Sequence, residues 1–284
     1  MTEAINSPDI VDLARSHPIL KNGRYRNPWD DWKSPNIISC RLLAFICTKK
    51  IPRIPRPSWS EKLWDALPIY PMRLRRERDL YFYFTLTPLK LSYTPFRFGN
   101  NLRWYVPMGL KSFFNLFGII NVVELTWWQE CTHDEETKVK VVCTPSYHWT
   151  KRKLFDNNKV LWCSWCVVGP KCNFYFAGDT GSFPAFKEIG QEYGPFTLAT
   201  IPIGAYEPRW LLFHQHVNPE EAVDIHKDVK ANISVAIHWG TFPLGYEFYL
   251  EPREKLKEAL EMKGVSPSSF FTVNHGEIII VNQQ

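Results

Sequence analysis

Apolar and polar positions alternate regularly from Asn100 to the end of the chain, in the order expected of an α/β protein. The segment 101–107 predicts a strand, and the segment 108–118 predicts a short helix that ends at Gly118. Apolar runs bounded by turn residues then predict several buried strands. These strands are 138–145, a hairpin made of 159–170 and 172–181, and 196–204.

The next segment contains a strong helix start. Asn-Pro-Glu-Glu at 218–221 combines an Asn cap, a proline at the first helical position and a glutamate three residues after the cap. This pattern predicts a helix that runs to about Lys230. A short apolar strand at 233–240, a helix from Glu251 to Lys263 and a final strand at 277–281 should follow.

Residues 34–96 differ from the rest because prolines interrupt them densely and no sustained period of 3.6 or 2 emerges. One strand is predicted near residues 81–93, and Arg73–Arg78 reads as a solvated turn or as a contact for acidic lipid headgroups. The sequence therefore predicts an N-terminal arm with a poorly specified Pro-rich segment (1–97) and a second, regular part (98–284).

Composition limits the class of protein. The chain has 284 residues, of which 45% are hydrophobic and 15% aromatic, and a formal net charge of +5. That balance suits an anionic partner such as a phospholipid surface, and nothing in the sequence predicts a nucleic-acid partner. No run of about 18 apolar residues and no signal-peptide pattern occurs, so we expect a cytoplasmic chain, peripherally associated with membranes. Seven cysteines at irregular spacing predict reduced thiols rather than a disulfide framework.

Three potential metal ligands stand where a predicted strand gives way to a loop. His148, Asp179 and His238 follow the segments 138–145, 172–181 and 233–240 in turn or lie at their ends. Imidazole nitrogen and carboxylate oxygen both suit zinc. Taken alone, a histidine at a strand end is more often a hydrogen-bonded structural residue, and a Gly-Asp pair in a tight turn is commonplace. The three residues in this order, each preceded by a strand, make a plausible metal set.

Two further constellations are open to two readings each. The pair His214 and His216 could ligate a metal from a strand, or one histidine could pack near the helix start while the other is solvated. Glu207 and Arg209 could clamp a phosphate or form a surface ion pair.

The strings around these residues resemble the N-acyl-phosphatidylethanolamine-hydrolysing phospholipase D branch of the metallo-β-lactamase superfamily. The similarity runs from about Phe98 to His275, with a second short match at 23–29. The strings are TPSYHWTKRKLFDNNKVLWCSW, FAGDTGSFPAFKEIGQEYGPFTLATIPIGAYEPRW, HQHVNPEEAVDIH and AIHWGTFPLGYEFYLEP.

This resemblance implies an α/β (αββα) metallo-β-lactamase-like sandwich that holds two zinc ions and hydrolyses N-acyl-phosphatidylethanolamine to N-acylethanolamine and phosphatidic acid. His148 then matches a ligand of the first metal, Asp179 the carboxylate that bridges both, and His238 a ligand of the second. Gln215 and His216 match a pair beside the metals, where His216 would orient substrate or assist proton transfer. The implied partner is a phospholipid at the surface of an intracellular membrane.

The chain departs from the family at one motif. The family's HxHxDH segment, which supplies two histidines to the first metal and an Asp-His pair to the second, should precede Phe96, and no such motif occurs in the sequence. Each zinc would then keep only Asp179 and one histidine, whereas a catalytic zinc normally has three protein ligands. The sandwich is expected to lack part of its N-terminal half, and the uncovered sheet edge predicts homodimer formation.

Two functions are therefore compatible with the sequence. The chain is either a zinc-dependent phospholipase D of this family or a catalytically silent isoform or pseudoenzyme that binds lipid or a partner chain. An RNA-processing or β-lactam-cleaving relative is disfavoured, because the strings at 205–210 and 214–222 are specific to the lipid branch.

Overall fold

The computed structural model describes residues 10–12, 18–28, 72–73, 81–82, 98–151, 156–241, 243–274 and 277–281. Its elements form an α/β protein built around one mixed sheet. The strands are β1 (Ile10–Asp12), β2 (Ile19–Lys21), β3 (Arg24–Arg26), β4 (Met72–Arg73), β5 (Tyr81–Phe82), β6 (Trp104–Pro107), β7 (Val122–Leu125), β8 (Gln129–Asp134), β9 (Val139–Thr144), β10 (Ser164–Val168), β11 (Asn173–Phe176), β12 (Leu198–Pro202), β13 (Ser234–Ile237) and β14 (Phe270–Phe271). The helices are α1 (Lys111–Leu116), α2 (Ala185–Glu192), α3 (Arg209–Leu212), α4 (Pro219–Asp228) and α5 (Glu251–Met262), with a 3₁₀ turn at Gly99–Asn101.

The main sheet has eight strands in the order β1-β8-β9-β10-β11-β12-β13-β14. Pairing is antiparallel from β1 to β11 and parallel from β11 to β14. Because β10 is antiparallel to both β9 and β11, these two strands run in the same direction, which β12 and β13 share. The carboxyl ends of β9, β11, β12 and β13 therefore meet at one edge of the sheet.

Alternate residues of the central strands bury opposite faces of this sheet, as the two-residue period of a strand requires. Cys166, Tyr175 and Ile201 belong to the large core that includes the inner sides of α2, α4 and α5. Val167 and Phe174, one residue away from two of these, belong to a smaller apolar cluster. The helices thus cover one face, and α4 packs against both α2 and α5.

Helix α4 forms where the sequence predicts it. The Asn218 side chain accepts a hydrogen bond from the Glu221 backbone N–H (2.9 Å), and the Glu221 carboxylate accepts one from the Asn218 N–H (3.0 Å). This capping box satisfies two backbone donors that a helix start leaves open. Helix α4 therefore has a fixed first residue, which also fixes the loop that precedes it.

Most predicted elements are confirmed, with corrections at the end of the chain. The predicted strand at 277–281 is wrong: those residues pair with no strand among the described residues, and Ile278 and Ile280 are exposed. Phe270–Phe271 takes the edge of the sheet instead. The sequence reading also missed α2 and α3. Of the segment 34–96, only β4 and β5 lie within the described residues, and Arg73 belongs to β4.

No helix in the described part of the chain is long and apolar enough to cross a bilayer. The thiols of Cys143, Cys163 and Cys166 are not in disulfides, as the irregular cysteine spacing predicts.

Candidate metal centre

Four potential metal ligands meet at the edge of the sheet where the strands of common direction end. His148 follows β9, Asp179 follows β11 and His238 comes directly after β13. His216 lies in the loop between α3 and α4. In α/β proteins the loops at the carboxyl ends of strands are where binding sites usually assemble. We call His148, Asp179, His216 and His238 the donor cluster.

The distances within the donor cluster are short enough for shared ligation. One donor atom each of His148, Asp179 and His216 lies within 4.8 Å of the other two, and this is the one such set of three among the described residues. His238 Nε2 lies 3.5 Å from Asp179 Oδ1. The His216 ring centre is 5.4 Å from that of His148 and 5.1 Å from that of His238. His216 therefore stands between the other two imidazoles.

Backbone carbonyls orient two of the imidazoles. His148 Nδ1 lies 2.7 Å from the Trp149 carbonyl, and His238 Nδ1 lies 3.3 Å from the Gly204 carbonyl. A carbonyl only accepts hydrogen bonds, so each Nδ1 is the protonated nitrogen. Nε2 of each ring then keeps the lone pair that a metal needs, which is the usual arrangement around metal-bound histidines.

The backbone at His238 is also held in an unusual conformation. Its φ angle is +60°, in the left-handed region, where histidine is tolerated better than most non-glycine residues. The His238 carbonyl packs so close to Gly204 that a Cβ at that glycine would meet it at 2.4 Å. Gly204 thus lets the loop after β12 approach the end of β13 and accept the bond from His238.

The ionisation of the cluster favours ligation. Burial alone would raise the pKa of Asp179, but His238, His216 and His148 outweigh it, and the pKa of Asp179 is lowered. Burial, followed by the nearby His238, holds the pKa of His216 well below its usual value. At neutral pH Asp179 is therefore an anion and His216 a neutral imidazole, the forms that bind metal.

Two buried atoms of the cluster are suited to bind a cation. Asp179 Oδ1 and His216 Nδ1 are buried and make no hydrogen bond with any described residue. Buried polar atoms in native proteins almost always have a partner, and an absent ion is one recognised reason for an exception. The donor set, its protonation and these two atoms together fit a divalent metal ion.

Thr180, next to Asp179, ties the three ligand-bearing loops together. Its hydroxyl accepts a hydrogen bond from the Tyr147 backbone N–H (2.9 Å) and donates one to the Gly181 carbonyl (2.8 Å). Its carbonyl accepts a bond from the Val217 N–H (2.9 Å), and the Gly181 N–H donates to the Tyr147 carbonyl (2.7 Å). Tyr147 precedes His148 and Val217 follows His216, so these bonds fix both histidines relative to Asp179.

Gly181 permits this close approach. A Cβ at Gly181 would meet the His214 carbonyl carbon and the Phe213 carbonyl oxygen at 2.8 Å, and the Tyr147 ring at 2.9 Å. No side chain fits there without moving one of the loops that bear the cluster.

Arg209 anchors the loop of His216 to α4. Its Nη1 donates to the His216 carbonyl (2.8 Å), and its Nη2 contacts both carboxylate oxygens of Glu221 (2.8 and 3.0 Å). The alternative of an ion pair between Glu207 and Arg209 is wrong, because Arg209 pairs with Glu221. The phosphate clamp stays a prediction. Glu207 instead accepts a hydrogen bond from the Arg209 backbone N–H (3.0 Å).

The histidines of the HxH motif separate. His214 Nδ1 lies 3.1 Å from the Tyr147 hydroxyl, outside the donor cluster, whereas His216 joins it. Gln215 is buried, and its side-chain oxygen accepts a short hydrogen bond from the indole N–H of Trp149. Gln215, predicted to act beside the metals, therefore braces the His148 loop. The roles of Thr180 and Arg209 were missed, since nothing in the sequence marks contacts between distant loops.

Large apolar side chains are exposed around the loop that bears His216. Some of these side chains lie on α3 or directly after it, and the others lie in the segment 244–250. The Tyr246 N–H donates a hydrogen bond to the Glu207 carbonyl (2.9 Å), which joins the segment 244–250 to the residues before α3. Glu247 strengthens the junction by accepting from the Ala205 and Glu207 N–H groups. We call these side chains the apolar rim: Trp210, Phe213, Leu244, Tyr246, Phe248 and Leu250.

Comparison with known proteins agrees with this architecture. Residues 95–239, about half of the chain, match the model of the β-lactamase superfamily domain. The chain is 46% identical over 186 residues to N-acyl-phosphatidylethanolamine-hydrolyzing phospholipase D 1 of Caenorhabditis elegans, covering 62% of this chain and 52% of that protein. It is 40% identical over 166 residues to the mitochondrial N-acyl-phosphatidylethanolamine-hydrolyzing phospholipase D of Saccharomyces cerevisiae, covering 57% and 35%.

The chain thus spans about half, or less, of the length of these curated relatives. Among solved structures, a metallo hydrolase from Ignicoccus hospitalis superposes with a TM-score of 0.44 at 21% identity, over 56% of this chain and 62% of that one. The superfamily match and the mixed sheet confirm the fold class that the resemblance implied.

Proposed function

The chain belongs to the β-lactamase superfamily, and we propose that it is a metal-dependent hydrolase that cleaves the phosphodiester bond of N-acyl-phosphatidylethanolamine, releasing N-acylethanolamine and phosphatidic acid. The observation on which this rests is the donor cluster: one carboxylate and three imidazoles at the edge where the parallel strands end. The similarity to two phospholipases of that name supports the substrate class.

Zinc is the metal we propose. Imidazole nitrogen and carboxylate oxygen are its usual ligands in hydrolases, and a set of two imidazoles and one carboxylate recurs in catalytic zinc sites. A zinc ion held there supplies positive charge for the phosphoryl oxygens and lowers the pKa of a water. His148, Asp179 and His216 would hold it, with His238 beside Asp179.

The protein's own residues prepare the site for a lipid. The apolar rim flanks the loop of His216 and offers exposed aromatic surface, which suits acyl chains better than a soluble anion. The net charge of +5 favours approach to an anionic membrane. Peripheral binding to intracellular membranes is therefore part of the proposal.

The test is hydrolysis of N-acyl-phosphatidylethanolamine presented in phosphatidylcholine vesicles, with released N-acylethanolamine measured by mass spectrometry. We expect turnover by the zinc-loaded chain, loss of turnover after chelation and recovery when zinc returns. Asp179→Asn should abolish turnover. His133→Gln should not, because His133 lies in β8 and its imidazole contacts Tyr105 of β6, not the donor cluster. Absence of zinc-dependent product from the folded chain would contradict the proposal.

The absent HxHxDH motif favours a second candidate, a catalytically silent protein that binds phospholipid or a partner chain. It predicts flotation with the same vesicles, with and without zinc, and no product. Sedimentation in the absence of lipid separates the two kinds of partner, because a homodimer would sediment at twice the chain mass.

A further inference from the structure

We infer that Glu247 is a positioning residue for His238. Its carboxylate holds the loop 204–208, which follows β12, and this loop in turn fixes the direction of the His238 imidazole. The inference rests on the proposed function and deepens it, because it names a residue outside the donor cluster on which turnover depends. Glu247 acts through the backbone of the loop.

Both oxygens of the Glu247 carboxylate bind the backbone of this loop. Oε1 accepts a hydrogen bond from the Ala205 N–H (2.6 Å), and Oε2 accepts one from the Glu207 N–H (3.0 Å). N–H groups that converge on one anion require an unusual backbone, and the φ angle of Ala205 is +64°. Alanine disfavours that region, and hydrogen bonds to a carboxylate are stronger than neutral ones. Glu247 therefore stabilises a loop conformation that the local sequence does not favour.

The neighbouring chain leaves room for this carboxylate. A Cβ at Gly245 would meet Glu247 Oε2 at 2.1 Å and the Glu207 carbonyl oxygen at 2.9 Å, so a side chain there would displace one of them. The Tyr206 hydroxyl adds a second connection by donating to the Glu251 carboxylate at the start of α5 (2.7 Å). The loop is thus fixed to the chain that leads into α5.

The loop passes its position to His238 through Gly204, the residue before Ala205. The Gly204 carbonyl lies 3.3 Å from His238 Nδ1 and accepts its proton in a hydrogen bond. With Nδ1 held there, the imidazole presents Nε2 at 3.5 Å from Asp179 Oδ1. If Glu247 released Ala205, the Gly204 carbonyl could turn away. The imidazole would then be free to rotate and to carry its proton on either nitrogen.

Glu247 lies on the opposite side of its segment from the apolar rim. Its sequence neighbours Tyr246 and Phe248 are exposed members of the rim, whereas the Glu247 carboxylate turns inward to the loop. A substitution of Glu247 should therefore leave the rim side chains in place. We expect it to change the step performed at the donor cluster and not the binding of lipid.

The first test determines which nitrogen of His238 carries the proton, by proton–nitrogen correlation NMR of the histidine side chains in the metal-free full chain. The chain has eight histidines, and His238→Gln identifies the signals of His238. At about pH 8, above the ordinary titration range of histidine, we expect the Nδ1–H form in the wild type. Glu247→Ala should shift His238 towards the Nε2–H form that histidine favours in water. Glu254→Gln, which removes a carboxylate from the exposed side of α5, should give the wild-type spectrum.

The second test measures turnover of N-acyl-phosphatidylethanolamine in vesicles by the zinc-loaded chain. Glu247→Ala should lower kcat by about 10–100-fold with KM almost unchanged. Glu247→Gln keeps one acceptor oxygen, so its kcat should lie between those of Glu247→Ala and the wild type. Glycine adopts a positive φ without steric cost, so Glu247→Ala should lower kcat less in an Ala205→Gly chain than in the wild type. A general loss of stability would lower it equally in both.

Thermal melting checks that each variant is folded, and Glu247→Gln replaces Glu247→Ala in both tests if the alanine chain does not fold. A folded variant in which His238 keeps the wild-type form overturns the inference, whatever its turnover. A shifted His238 with full kcat overturns it as well. If the shift occurs and the zinc-loaded wild type releases no product, the proposed function fails while Glu247 keeps its role towards His238.

Discussion

Replacing Thr180 with valine should destabilise the protein and loosen the metal centre together. The side chain is fully buried, and its hydroxyl accepts from the Tyr147 N–H and donates to the Gly181 carbonyl. Valine keeps the shape of threonine and removes both bonds. A buried polar group that loses its partner costs about 1–3 kcal/mol, so the free energy of unfolding should fall by about that amount.

Thr180→Ser is the matched control, because it keeps the hydroxyl and loses one methyl group, which costs about 1 kcal/mol. The assay is urea unfolding followed by tryptophan fluorescence, with cobalt affinity measured on the same samples. We expect Thr180→Val to unfold earlier than Thr180→Ser and to bind cobalt about tenfold more weakly, since the loops of His148 and His216 lose their common anchor. If Thr180→Val matches the wild type in both unfolding midpoint and cobalt affinity, the reasoning about this anchor is refuted.

Three further changes test the scaffold and its electrostatics. Gly190→Ala should lower the free energy of unfolding by about 1–3 kcal/mol or more, because a Cβ there would lie 2.0 Å from the Asp228 carbonyl oxygen of α4. Thermal melting measures the loss of stability. An unchanged melting midpoint would show that α2 and α4 can move apart without cost. A double-mutant cycle of Arg209→Lys and Glu221→Gln should give a coupling energy of about 1 kcal/mol from the two-oxygen contact, and zero coupling would contradict that contact. His226 Nδ1 lies 2.7 Å from the Ser234 hydroxyl, and burial, followed by Lys227, lowers the pKa of this histidine. The unfolded chain therefore protonates His226 more readily than the folded chain does, so the free energy of unfolding should fall as pH drops from about 7 to about 5. In urea unfolding at several pH values, His226→Gln should reduce the dependence of stability on pH. An unchanged dependence would mean that other groups cause it.

Local patterns in the sequence predict the elements that local chemistry decides. The capping box at Asn218–Glu221 determines where α4 begins, and both of its hydrogen bonds form. Strands β9 to β13 form where the sequence has apolar runs, because residues on both sides of these strands are buried. Helix α2 was missed because it begins after Pro184 with no side-chain cap and contains a glycine.

The final strand shows the limit of pattern alone. The apolar run 277–281 has the composition of a strand, yet Ile278 and Ile280 are exposed and Phe270–Phe271 occupies the edge beside β13. Competition for one edge of a sheet depends on tertiary structure, which periodicity does not report.

The site was only partly predictable, because some of the contacts that form it are made between loops. His148, Asp179 and His238 stand at strand ends, so their meeting follows from strand direction. Whether His214 or His216 enters the cluster depends on the bond from Arg209 to the His216 carbonyl and on the contact of His214 with Tyr147, both made across loops. The spacing of the HxH motif alone leaves that choice open.

Elemental analysis of zinc in the purified full chain, beside Asp179→Asn prepared in the same way, tests the central claim most directly. The donor cluster predicts bound zinc in the wild type and none in Asp179→Asn, with both proteins folded by circular dichroism. A folded wild type without zinc, or zinc retained in full by Asp179→Asn, would contradict the assignment of this cluster as a metal centre.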